Sequence, residues 1–228
     1  MPAVEKQWST TIEQPILMRI GGVALRGELV VPEEALGLVL LAHASEMSRS
    51  NAGSHRTVRE LEDQGLAVLS FDLLSVDEEN EALRTGRQIV DVAQMASRYL
   101  EAAAWAVAQP ELSQLPIGFL SMGTCAAGAL MAAAEHPAWL GGVVCVNGRV
   151  DLAGSALANV QVPTLLLVGS ADTSAVRKNE AALLQLNSVR KELILVPGGS
   201  VRFEAPEEFR PLADLIAEWL SQSLILVA

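Results

Sequence analysis

The stretch Ile117-Gly118-Phe119-Leu120-Ser121-Met122-Gly123-Thr124-Cys125-Ala126-Ala127-Gly128-Ala129-Leu130 decides how the chain folds. It reads as a short buried strand, a sharp turn of small residues, and a helix running to about Glu135, which is the layout of a GxSxG-type elbow. The central residue of such an elbow takes a strained backbone conformation, and the positions two before and two after it must be small so that strand and helix approach closely. With Ser121 at the centre the flanks are Phe119 and Gly123, and the Phe ring collides with the helix. With Gly123 at the centre the flanks are Ser121 and Cys125, both small, and the central residue carries no nucleophile.

Around this stretch the chain has 228 residues, 50% of them hydrophobic, enough for one α/β domain with a large core. The net charge of −11 argues against a nucleic-acid or anionic-membrane surface, which needs clustered Lys and Arg, and leaves small molecules or proteins, a second copy included, as partners. Cys125 and Cys145 lie in apolar elements, a usage that suits a reducing compartment. Met1 to Gln14 is polar and mixed in charge, without the pattern of a secretory leader, so a cytoplasmic protein is expected. The apolar run from Ala35 to Ser45 is far below the ~18 residues of a membrane span.

Ile16 to Ile20 and Val23 to Val31, joined by Gly21-Gly22, predict a hairpin at a sheet edge. Continuous aliphatic runs at Leu36 to Ala42, Ala67 to Phe71, Gly142 to Val146, Thr164 to Val168 and Leu193 to Val196 predict buried parallel strands. Helices are expected over Ser54 to Gln64, Arg84 to Ala108, Ala175 to Leu186 and Pro206 to Leu220. The acidic stretch Asp72 to Glu81 reads as a solvated loop. Leu224-Ile225-Leu226-Val227 is apolar enough to pack on the sheet, to contact another subunit or to form an exposed sticky tail. The alternation predicts a mostly parallel twisted sheet flanked by helices on both faces.

Taken together, these motifs resemble the α/β-hydrolase superfamily, and within it the compact dienelactone-hydrolase-like branch. The resemblance rests on His43-Ala44-Ser45 after a central strand, Gly65 to Leu74, the elbow, Gly148-Arg149-Val150-Asp151-Leu152-Ala153-Gly154, Pro163 to Asp172, and Val196-Pro197-Gly198 with Phe203 to Pro206. It implies hydrolysis of small esters or lactones by a nucleophile, an acid and a His in that chain order. Carried over residue by residue, the nucleophile position falls on Gly123, the acid on Asp172 and the His on Val201, so only the acid is present. The chain has three histidines, His43, His55 and His136, and none follows Asp172. Ala44 and Glu46 stand where the resemblance implies oxyanion-loop glycines. These departures fit a lost function, a new function or a deliberately rebuilt site alike.

The remaining candidates for chemistry are Cys125, whose thiol a helix N-terminus would acidify, with His43 or Glu46 as base, and Ser121. Met122, Ala44, Asn147 and Arg149 are expected to line a pocket at the strand C-termini, where open α/β sheets bind ligands, and Asp172 to bond backbone groups or Arg149. No histidine and cysteine spacing suits a metal, and no glycine-rich phosphate loop suits a nucleotide, so no cofactor is expected. The reading is thus a hydrolase-like protein without its triad, with a rewired enzyme or an interaction module as alternatives.

Overall fold

Gly21 and Gly22 take φ of 54° and 81°, the left-handed pair that a tight hairpin turn requires. They join β1 (Ile12–Ile20) to β2 (Val23–Val31) with Ile20 opposite Val23. The structure is a computed structural model that describes residues 12–44, 49–86, 91–197 and 206–225, with backbone alone at 206–210 and 225. In it β2 pairs antiparallel with β4 (Ala67–Asp72), and from β4 onward the pairing is parallel. With β3 (Leu38–His43), β5 (Ile117–Met122), β6 (Leu140–Val146), β7 (Thr164–Gly169) and β8 (Lys191–Val196), the sheet has eight strands in the order β1-β2-β4-β3-β5-β6-β7-β8.

The period of two along each strand assigns the two faces. Leu38, Leu40 and Ala42 of β3 join Phe71 and Phe119 in a core covered by α3 (Val92–Val107), α4 (Cys125–Glu135) and α5 (Thr173–Gln185). Val39 and Leu41 join Val68 and Leu120 on the opposite face, under α1 (Ala52–Asp63) and α6 (Pro206–Ile225). All residues of β3, β4, β6 and β7 are buried, as the uninterrupted aliphatic runs require of strands covered on both faces. Among the described residues no helix is long and apolar enough to cross a membrane.

The fold class stands as expected, and several local readings change. The stretch read as a solvated loop starts with Asp72, which is fully buried, and then forms α2 (Val76–Thr85), begun by a capping box between Ser75 and Glu78. The long helix expected from Arg84 is accordingly two: α2 ends at Gly86, and α3 starts after Asp91, whose carboxylate caps it. Ile89 lies outside the described residues. A 3-10 segment over Val150–Asn159, kinked at Gly154, follows β6.

The last helix runs past Leu220 to Ile225, so Leu224 packs on the sheet of its own chain. A side-chain carbon added at Gly37, Gly141 or Gly118 would come within 2.6, 2.7 or 3.4 Å of Leu224. That glycine floor lets the helix settle on the N-terminal ends of β3, β5 and β6. Leu226 and Val227 lie outside the described residues.

Candidate functional site

Gly123 carries the bend between β5 and α4, at φ 56°. Its flanks Ser121 and Cys125 are buried, so the elbow is centred on Gly123. The bend is tied to the exit of β6, since Gly123 N donates to the Val146 carbonyl at 3.3 Å and Arg149 N donates to the Gly123 carbonyl at 2.8 Å. Among the described residues a side-chain carbon at Gly123 would meet nothing within 4 Å, whereas one at Gly128 on α4 would lie 2.5 Å from Met95 Cβ. The described residues thus leave space at the elbow for a projecting side chain, and Gly123 supplies none.

Ser121 does not face that space. Its side chain is fully buried and its Oγ lies 2.7 Å from the hydroxyl of Tyr99, which packs between Phe71 and Phe119. Cys125 is 3% exposed, and burial pushes its thiol up to about 12. The acidification expected from the helix N-terminus is therefore reversed, because desolvation of a thiolate outweighs it. Cys145, on the neighbouring strand, is pushed up by burial as well.

His43 ends β3 with its Nε2 3.1 Å from both Ser54 Oγ on α1 and Ser70 Oγ on β4. The distances are those of a hydroxyl–base pair, yet Ser54, Ser70 and His43 are all buried. Desolvation, then the charges of Arg49 and His55, lower His43 to about 3. A general base must become a cation, and this setting opposes it. His43 is a neutral cross-link between β3, β4 and α1.

Beside it, Arg49 Nε donates to Asp72 Oδ1 at 3.0 Å and Arg49 Nη1 to Glu28 Oε1 at 2.7 Å. Burial raises the Asp72 carboxyl, against the opposing pull of Arg49 and Arg26. The acidic composition after β4 hides this group from a sequence reading, although an aspartate directly behind an aliphatic run is itself a signal for a buried partner.

Across the sheet edge, Asp172 accepts from Ala175 N at 2.9 Å and so caps α5. Of the two expected partners the backbone is the one it bonds; Arg149 instead grips Asp151 with two bonds of 2.9 Å on the exposed surface. Asn147, at φ 45°, accepts from Gly169 N at 3.1 Å and locks the exits of β6 and β7 together. Ala44 is exposed and Met122 half-buried at the same edge, and His55 and His136 are exposed, His55 near enough to His43 for its charge to act on it. Glu46 and Val201 lie outside the described residues. Among the described residues no group of three or more His, Cys, Asp or Glu could hold a metal ion.

No protein-family profile matches the chain. A dienelactone hydrolase from Anabaena variabilis, known from its crystal structure, is 38% identical, with a TM-score of 0.88 over 94% of this chain and 99% of that one. The Est1E protein of Butyrivibrio proteoclasticus shares the fold at 12% identity, with a TM-score of 0.75 over 92% of this chain and 99% of that one. A Mycobacterium tuberculosis protein named as a candidate phosphoribosyl transferase, present in two strains, is 34% identical over 212 residues, 93% of this chain. The chain spans about half the length of those relatives, 47%.

Proposed function

The chain belongs to the dienelactone-hydrolase-like branch of the α/β-hydrolase superfamily, and we propose that it is a member without triad catalysis, whose strand-end pocket holds a small molecule without cleaving it. The observation that carries this reading is the elbow: Gly123 has a φ of 56° and, among the described residues, no atom within 4 Å of where a side chain would project, and it has no side chain to attack. Burial of Cys125, Ser121 and His43 supports it, because each lies where a substrate carbonyl and its leaving proton do not reach. The phosphoribosyl transfer in the relatives' name attaches to proteins about twice this length, and the hydrolase-like architecture of this chain supports a ligand related to small esters or lactones.

Hydrolysis of a short activated ester such as p-nitrophenyl acetate tests the reading, comparing the native chain with a Gly123→Ser, Val201→His variant. We expect the native chain to match the buffer rate and the variant to turn over. Native turnover abolished by Cys125→Ala or Ser121→Ala would overturn the proposal, and a silent double variant would show that the scaffold no longer supports the chemistry.

A further inference from the structure

The two edges of the sheet are unlike. β1 carries Pro15, which has no N–H to offer, between the charges of Glu13 and Arg19, and these are devices that keep an edge strand from pairing. β8, at the other edge, reads Lys191-Glu192-Leu193-Ile194-Leu195-Val196, without a proline and with its two charges adjacent and opposite. Among the described residues β8 pairs with β7 alone, so among them its outward row of N–H and C=O groups meets no strand. Such a row is a template for another chain.

Apolar side chains gather beside this edge. Leu184 near the end of α5 and Val189 in the turn before β8 are 83% and 100% exposed, more than any other large hydrophobic residue among those described. Leu193 packs against the core on the α5 side, and Leu195, on the same face by the period of two, is 46% exposed.

Charge singles out the same end of the sheet. Residues 148–196, which include the 3-10 segment, β7, α5 and β8, hold five Lys and Arg against four Asp and Glu, a net charge of +1 in a chain of −11. The acidity is therefore carried by the rest of the molecule, and two copies meeting there bring like charges together. At the β8 end they do not.

We infer that β8 is a self-association edge: two copies pair their β8 strands antiparallel about a twofold axis, continuing the eight-stranded sheet of one into that of the other. A twofold makes one patch its own partner, so Leu195 and the apolar turn before β8 are supplied to the seam by both copies. β5 lies three strands in from this edge, roughly 14 Å at ~4.8 Å per strand, which sets the seam apart from Gly123. Antiparallel pairing reverses one sheet against the other, so the two elbows open on opposite sides of the dimer. None of this depends on whether the elbow is catalytic.

Sedimentation velocity and hydrogen–deuterium exchange of the full chain, from about 1 µM to about 300 µM, test the inference. The mass is expected to rise to about twice 24.2 kDa. Over the same range the outward amides of residues 191–196 should slow by at least about fivefold, while those of β1 stay unchanged. Leu195→Lys, at an exposed position, puts a charge on the edge and should hold the chain at the monomer mass. Leu17→Lys, the matching change on exposed β1, should leave the dimer intact. If Leu195→Lys disturbs the fold, exchange of the native chain decides by itself.

A monomer over the whole range overturns the inference. So does a dimer in which residues 191–196 exchange as they do in the monomer, or one dissolved by Leu17→Lys and not by Leu195→Lys. Protection of residues 191–196 already complete in the monomer would mean that the chain covers its own edge, and overturns it as well.

Discussion

At Cys125 two influences on a thiol oppose each other. A helix N-terminus favours the thiolate by a few tenths to about 1 kcal/mol, and removal from water disfavours it by more, leaving the group at about 12. We expect Cys125 to resist an aromatic disulfide reagent at pH 7.5 until denaturant is added. Stoichiometric labelling of the native chain within minutes would revive the thiol as a nucleophile. The sequence places Cys125 on the right helix, but only packing shows that its side chain turns inward.

His43 carries the pH dependence. Its ordinary value of 6.5 falls to about 3 in the fold, so below pH 6.5 the unfolded chain takes a proton that the folded chain refuses. The sign is therefore destabilising on acidification, by about 1.4 kcal/mol per pH unit for this one group. Asp72, raised by burial, works the other way, because the folded chain takes its proton first. Urea unfolding midpoints between pH 7 and pH 4 should fall in the native chain and fall less in His43→Gln. Equal slopes would show that His43 is not the source.

Among the elements, the helices divide by whether a stripe of apolar residues announces them. In α3, Met95, Ala96, Tyr99, Ala102, Ala103 and Ala106 repeat at helical spacing and are buried, so the element is legible from its sequence. α2 has no such stripe because it has no buried residue; its only sequence signal is the Ser75-x-x-Glu78 capping box, easily lost in an acidic run. α6 continues past its expected end because Leu224 finds its partner in glycines distant in sequence. Leu224→Ala should cost about 2–5 kcal/mol in urea unfolding, the range for a buried leucine. A loss below about 0.5 kcal/mol, the level of an ordinary surface change, would mean that the helix end frays in solution.

For the whole molecule, the strands and the elbow between β5 and α4 could be read before any coordinates, and the order of the strands in the sheet and the bonds around the elbow could not. Continuous aliphatic runs and a small-residue elbow are local patterns, so β3 to β8 and the bend at Gly123 are visible in the chain. The bonds from His43 to Ser54 and Ser70, from Tyr99 to Ser121, and from Arg98 to Glu78 join residues 11, 27, 22 and 20 positions apart, and no local pattern encodes them. That no histidine follows Asp172 is legible from the residues alone, and the structure adds that no described atom lies within 4 Å of a side-chain carbon placed at Gly123.

The glycine floor beneath Leu224 also fixes a direction. It receives α6 at the starting ends of β3, β5 and β6, whereas Gly123 lies past the finishing end of β5. A six-residue strand at ~3.3 Å per residue puts roughly 20 Å of sheet between them. Cargo fused behind the last helix, or a surface to which the protein is tethered there, would leave from the back of the molecule and stay clear of Gly123.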